Sequence, residues 1–148
     1  MTVVAAIRPD SWNLPLFLHV LGATVLFGAT ATVAVVGFAS RSRRDSAPLL
    51  FRIAWRTFLL GIIPSWILMR VTAQWILGKE YEDNEPGWVG VGFIVSEGGG
   101  LLLIVLGILA WVASRRNGAG KAAVAVPVLA SVILIALGVA WFAMSAKP

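Results

Sequence analysis

LPLFLHVLGATVLFGATATVAVVGF, Leu14–Phe38, is apolar throughout except for one histidine and scattered threonines. As a helix rising about 1.5 Å per residue, it is long enough to cross a hydrocarbon core of about 30 Å. Pro15 suits the first turn of such a helix, with Ser11 or Asn13 as its cap. Gly37-Phe38-Ala39 loosely resembles a leader cleavage site. However, the run is too long for a leader's apolar region, and its strong positive cluster follows rather than precedes it. The run is therefore expected to be retained as a span.

Working outward, the same pattern recurs three times. Arg41-Ser42-Arg43-Arg44-Asp45 forms a polar break that ends at Pro48. A second apolar run follows to Leu77, with Arg52 and Arg56 in its first turns, where their stems can snorkel to headgroups. Pro64 lies inside it and is expected to kink the helix, because it removes a donor and crowds the carbonyl of Leu60. The acidic stretch Lys79–Gly87 separates this run from the third, and Ser114–Lys121 separates the third from the fourth. The expected spans are 14–38, 53–77, 88–113 and 122–144, in a single transmembrane domain covering 1–148.

Composition agrees. The chain has 148 residues, 59% of them hydrophobic and 13% charged, against about 45–50% and 25% in soluble domains. The net charge of +5 does not point to nucleic acid, because the basic residues sit between apolar runs, where they set topology. The absence of cysteine excludes disulfides and thiolate chemistry, and one histidine excludes a multi-histidine metal cage within one chain. No nucleophile–base pair of a hydrolase is evident, so enzyme activity is not the expected reading.

Arg41, Arg43, Arg44, Arg52, Arg56, Arg115, Arg116 and Lys121 flank loops one and three, while Arg8, Lys79 and Lys147 are alone on the other side. Positive residues stay cytoplasmic, so both termini and the acidic loop are expected outside. Trp12, Trp75, Trp88 and Trp141 then fall at the outer interface, Trp55 and Trp111 at the inner one, and Trp66 in the middle. Short loops make neighbouring helices antiparallel. The expected fold is all-α: a polytopic, antiparallel four-transmembrane-helix bundle in a bacterial cytoplasmic membrane.

Three ionisable residues interrupt the runs: His19, Arg70 and Glu97. Counted from the outer end of each run, they lie about 8, 10 and 14 Å deep. Side chains lean toward the N-terminus of their own helix, so Arg70 leans inward and Glu97 outward, toward one another. Gln74 lies one turn from Arg70, and Ser96 adjoins Glu97. Charges inside apolar spans are functional candidates by default. His19, Arg70, Gln74, Ser96 and Glu97 are accordingly the candidate ligand-binding or proton-handling residues. The alternative is an Arg70–Glu97 salt bridge that only locks two helices. Gly98-Gly99-Gly100 after Glu97 open space beside the carboxylate and are expected to serve close packing, with a substrate cradle as the alternative; Thr24, Gly28 and Thr32 at four-residue spacing are expected to permit close helix packing. Ala136 and Ala140 on the fourth helix are a candidate oligomer interface.

Leu16-Phe17-Leu18-His19-Val20-Leu21-Gly22-Ala23 resembles the first-helix motif of small bacterial membrane proteins, including copper-resistance-D-like proteins. Arg70-Val71-Thr72-Ala73-Gln74-Trp75 and Gly90–Gly98 resemble segments of four-helix proteins of that kind, mainly actinobacterial and without established activity. The chain departs from a copper-handling member in offering one histidine and only Met1, Met69 and Met144. Bis-histidine heme would need a second chain, with Met69 or Met144 as the other axial candidate. The expected function is an outward-facing polar site for a small anionic or quinone-like ligand, or a proton. The alternative is a structural or accessory subunit of a membrane complex or homo-oligomer, with the bilayer as constant partner and no nucleic acid.

Overall fold

In a computed structural model, residues 13–80 and 87–145 are described, with side chains for 13–78, Ile94 and 97–143. The described residues form helices α1 (Asn13–Ser42), α2 (Ala47–Thr57), α3 (Ile63–Glu80), α4 (Gly87–Arg115) and α5 (Lys121–Ser145). A π-helical turn, Phe58–Ile62, joins α2 to α3 without a break. The result is four helical rods, each long and apolar enough to cross a membrane.

The second rod begins earlier than the apolar run alone indicates. Pro48 occupies its first turn, where a missing N–H costs nothing. The next turns are amphipathic: Phe51 and Ala54 are buried, while Arg52 and Arg56 face out. The expected Pro64 kink is met by the π turn. Ile63 N–H bonds the Phe58 carbonyl five residues back, a wider turn that relieves the clash of a proline ring with the preceding turn. The Ser65 hydroxyl then donates to the carbonyls of Gly61 (2.6 Å) and Ile62 (3.1 Å). Carbonyls left short of donors must be satisfied within the chain when lipid surrounds it.

Around the bundle, α1 lies between α2–α3 and α5, and α4 lies between α5 and α2. The core holds Leu26, Val33, Phe51, Ile62, Leu106 and Val126, all essentially inaccessible. Close approach depends on glycines at particular points. A Cβ on Gly22 would meet the Met69 backbone nitrogen at 2.9 Å and the Ser65 carbonyl at 3.1 Å. One on Gly37 would meet the Pro127 ring at 3.0 Å.

Thr24, Gly28 and Thr32 do not form this packing surface. They are exposed, and the threonine hydroxyls bond their own helix at Val20 and Gly28. Gly22, Leu26, Thr30 and Val33 line the buried face instead. Ala140 is buried and Ala136 is half-buried, lining a cavity described below.

At the basic end, α4 stops in left-handed backbone: Asn117 has φ 54° and Gly118 φ 79°. Gly118 N–H bonds the Ala113 carbonyl at 2.8 Å, closing the helix. Gly118 also rests on the start of α2, where a Cβ would meet Ala47 Cβ at 2.8 Å. Arg41 donates to the Val124 carbonyl at 3.1 Å, which ties the last turn of α1 to α5.

Candidate functional site

α3 carries the polar side chains on two flanks. On the α1 flank, His19 Nδ1 lies 3.0 Å from the Met69 carbonyl. A carbonyl only accepts, so Nδ1 carries a proton and donates it. The approach is possible because Gly22, one turn along α1, lets that helix ride on the α3 backbone.

On the α4 flank, Arg70 Nη2 donates to Glu97 Oε1 in a charged pair. Gln74, one turn along α3, is oriented by the same network. With its oxygen toward Arg70 it accepts from Nη1 at 2.6 Å and Nη2 at 3.2 Å. Arg70, Gln74 and Glu97 are thus brought together. His19 instead meets α3 through the carbonyl that precedes Arg70. Ser96 lies on α4, but its side chain is outside the described residues.

Burial is uneven across the pair: the Arg70 side chain is 21% exposed and that of Glu97 65%. The guanidinium is held within the fold while the carboxylate faces out. As a stabilising contact so exposed a pair contributes about 0–1 kcal/mol.

The space expected beside Glu97 from the glycine run belongs to a larger feature, whose walls come from all four rods. An apolar cavity of about 400 Å³ sits among the four rods, walled by Leu26, Trp66, Met69, Gly98, Gly99 and Ile133 among others. Its lining residues Ile94, Gly98 and Leu102, all on α4, are exposed, so it opens along that helix. The glycine run therefore has two uses. Gly100 is a packing glycine, since a Cβ there would sit 2.9 Å from the Trp66 ring. Gly98 and Gly99 have nothing within 4 Å of such an atom, and they keep space open. Among the described residues, the buried Trp66 Nε1 has no acceptor. The sequence signal for this cavity was the cost of consecutive helix glycines, about 1 kcal/mol each; of the two purposes expected for them, close packing holds for Gly100 and open space for Gly98 and Gly99.

The fold and this site define a class, a four-helix membrane bundle with a lateral apolar cleft beside a charged pair. No protein family, curated protein or solved structure matches the chain.

Proposed function

We propose that this is a multi-pass protein of a bacterial cytoplasmic membrane that binds a small quinone-like amphiphile. The polar end of the ligand meets Arg70, Gln74 and Glu97, and its apolar part occupies the cleft. The carrying observation is an apolar cavity of about 400 Å³, within the usual range of about 300–1,000 Å³ for ligand pockets, with the exposed Glu97 carboxylate one residue along α4 from Gly98 in its wall. Arg70 is already engaged by Glu97 and Gln74. That favours a neutral head, whose hydroxyl donates to Glu97, over an anion seeking the guanidinium.

The placement in the bilayer supports the same reading. Contacts between the first two rods run in opposite senses: His19 with Met69, Gly22 with Ser65, Ala29 with Gly61. This fits an antiparallel bundle, and the clustered arginines put both termini outside. Glu97–Arg115 spans 19 residues, or about 27 Å. With Arg115 at the inner boundary, Glu97 lies close to the outer one, shallower than its place in the apolar run indicates. A polar head at that level and an apolar body below it match the bilayer's own gradient.

In purified protein, a short-tailed benzoquinol is expected to bind through its hydroxyl, and Glu97→Gln to weaken its binding about tenfold with the fold intact. Loss of a hydrogen bond to a charged group has that size. Unchanged affinity in the variant overturns the role of Glu97.

A second reading has its own support. The Arg70–Glu97 pair ties α3 to α4 where, among the described residues, their backbones hardly touch. A purely structural bridge in an accessory subunit or homo-oligomer predicts that Arg70→Glu with Glu97→Arg restores whatever stability each single change removes. Failure of that rescue removes this reading.

A further inference from the structure

We infer that Arg52 and Arg56 form a binding site for the phosphate of one anionic phospholipid, in the leaflet at the basic end of the bundle. The site lies on α2, whereas the cleft is lined from α1, α3, α4 and α5, so it does not depend on what the cleft holds. Leu49, Arg52, Ile53 and Arg56 are all exposed, and their spacing puts them on one face of α2. The opposite face, with Phe51 and Ala54, is buried in the core. The two arginines therefore stand one turn apart, about 5–6 Å between their Cβ atoms, beside exposed apolar side chains.

Arg56 stands deeper than an arginine that only sets topology needs to. Ala47, at the start of α2, meets Gly118 in the turn after α4, so the second rod begins level with the polar loops. Phe58 meets Gly107, which is eight residues inside Arg115 on α4, or about 12 Å. Arg56 is two residues short of Phe58 and so lies about 9 Å inside that boundary, on a surface that faces lipid. A cation placed there without a partner is costly. Side chains lean toward the N-terminus of their own helix, here the basic end, so the Arg56 head reaches back toward the headgroup level.

Other arginines at this end have partners in the fold. Arg41 donates to the Val124 carbonyl and covers the Phe38 ring, and Arg115 lies over the Trp111 ring. Among the described residues, Arg52 and Arg56 have neither an acceptor nor a ring, and Asp45 in the turn before α2 pairs with neither. The missing partner has definite chemistry: an anion with several oxygens, carried on chains apolar enough to lie against Leu49 and Ile53. A phospholipid phosphate meets both demands, and a free phosphate ester meets only the first. Guanidinium forks bind phosphate oxygens through paired N–H donors, and two forks one turn apart can hold one phosphate between them. A diffuse surface potential, by contrast, acts alike on every basic residue near the membrane.

The test uses the full chain in detergent and native mass spectrometry, which resolves the first lipid bound. The probes are phosphatidylglycerol and phosphatidylcholine with the same acyl chains. The unmodified protein is expected to bind phosphatidylglycerol about tenfold more tightly. Arg52→Gln with Arg56→Gln is expected to bring the two lipids within about twofold of each other. Arg43→Gln with Arg44→Gln removes the same charge from the exposed turn before α2 and is expected to keep a preference of at least about fivefold. Should the first double variant fail to fold, Arg56→Gln alone carries the test, with an expected loss of about threefold. Glycerol 3-phosphate, a phosphate ester without tails, is expected to leave the lipid bound. A preference that survives Arg52→Gln with Arg56→Gln overturns the inference, as does an equal fall in both double variants, the result a diffuse field produces. Displacement by glycerol 3-phosphate overturns the lipid as occupant, and equal binding of the two lipids by the unmodified protein overturns the site.

Discussion

The two flanks of α3 are unlike. Toward α1 the helices are in backbone contact, with Gly22 against Ser65 and Met69 and a histidine ring bonded to a main-chain carbonyl. Toward α4 the same helix stands off, and a cleft fills the space behind a single charged pair. Both flanks are glycine-bearing and apolar. The difference lies in what each glycine faces: Gly22 faces backbone, Gly98 and Gly99 face emptiness. Lipid tails are as apolar as leucine, so helices in a bilayer are held mainly by van der Waals fit and scattered hydrogen bonds. A flank left unfitted gives up that gain, and a ligand can restore it.

The tight flank should break most sharply. Gly22→Leu sets a side chain against main-chain atoms of Ser65 and Met69, which have no rotamer to turn aside. The helices must separate, and the His19 bond goes with the contact. Overpacking costs about 1–3 kcal/mol and occasionally more. Here a loss of about 3 kcal/mol is expected, read by reversible unfolding in mixed detergent. A loss under about 1 kcal/mol would show that this flank does not need its close approach.

Next in size is the point where the open flank closes. Toward the basic end, Gly107 on α4 meets Phe58 in the π turn, and any Cβ there runs into the phenyl ring. That ring is stacked on Trp55, with centroids 5.7 Å apart, and so cannot swing freely. Gly107→Ala is expected to cost about 1–2 kcal/mol in the same assay, less than Gly22→Leu because a side chain yields more readily than backbone. An effect as large as that of Gly22→Leu would mean that α4 is fixed to α2 as rigidly as α1 is to α3.

Much of this architecture was legible in the sequence, and the difference between the flanks was not. The four rods follow from the lengths of the apolar runs. The second start was misjudged because Arg52 and Arg56 interrupt hydropathy without interrupting the helix. Facing was harder to read. In a soluble protein, polarity marks the outside, but here Val35 and Leu60 face out and are no less apolar than the buried Leu26 and Ile62. Small-residue spacing then misleads: Thr24, Gly28 and Thr32 repeat correctly and lie on the wrong face. The approach of Arg70 to Glu97 could be expected from side-chain lean. The separate placement of His19 could not, because it depends on which face of α1 meets α3. The cavity is a property of four rods jointly and leaves no local mark beyond two glycines with nothing to pack on.

The smallest effect is expected at those two glycines, and it is the most discriminating. Gly98→Ala adds a methyl group to open space, with no atom within 4 Å. Removing a helix-interior glycine returns up to about 1 kcal/mol of propensity, so stability should hold or rise slightly. Close packing at Gly98, the bland account of the glycine run, predicts the opposite sign, a loss comparable to that at Gly107. The sign of one small shift therefore decides whether Gly98 serves helix contact or open volume. If it is volume, the fold forgoes both helix propensity and van der Waals contact on the flank where the exposed Glu97 carboxylate stands. Such a double sacrifice is the pattern expected of a binding site and not of a lock between two helices.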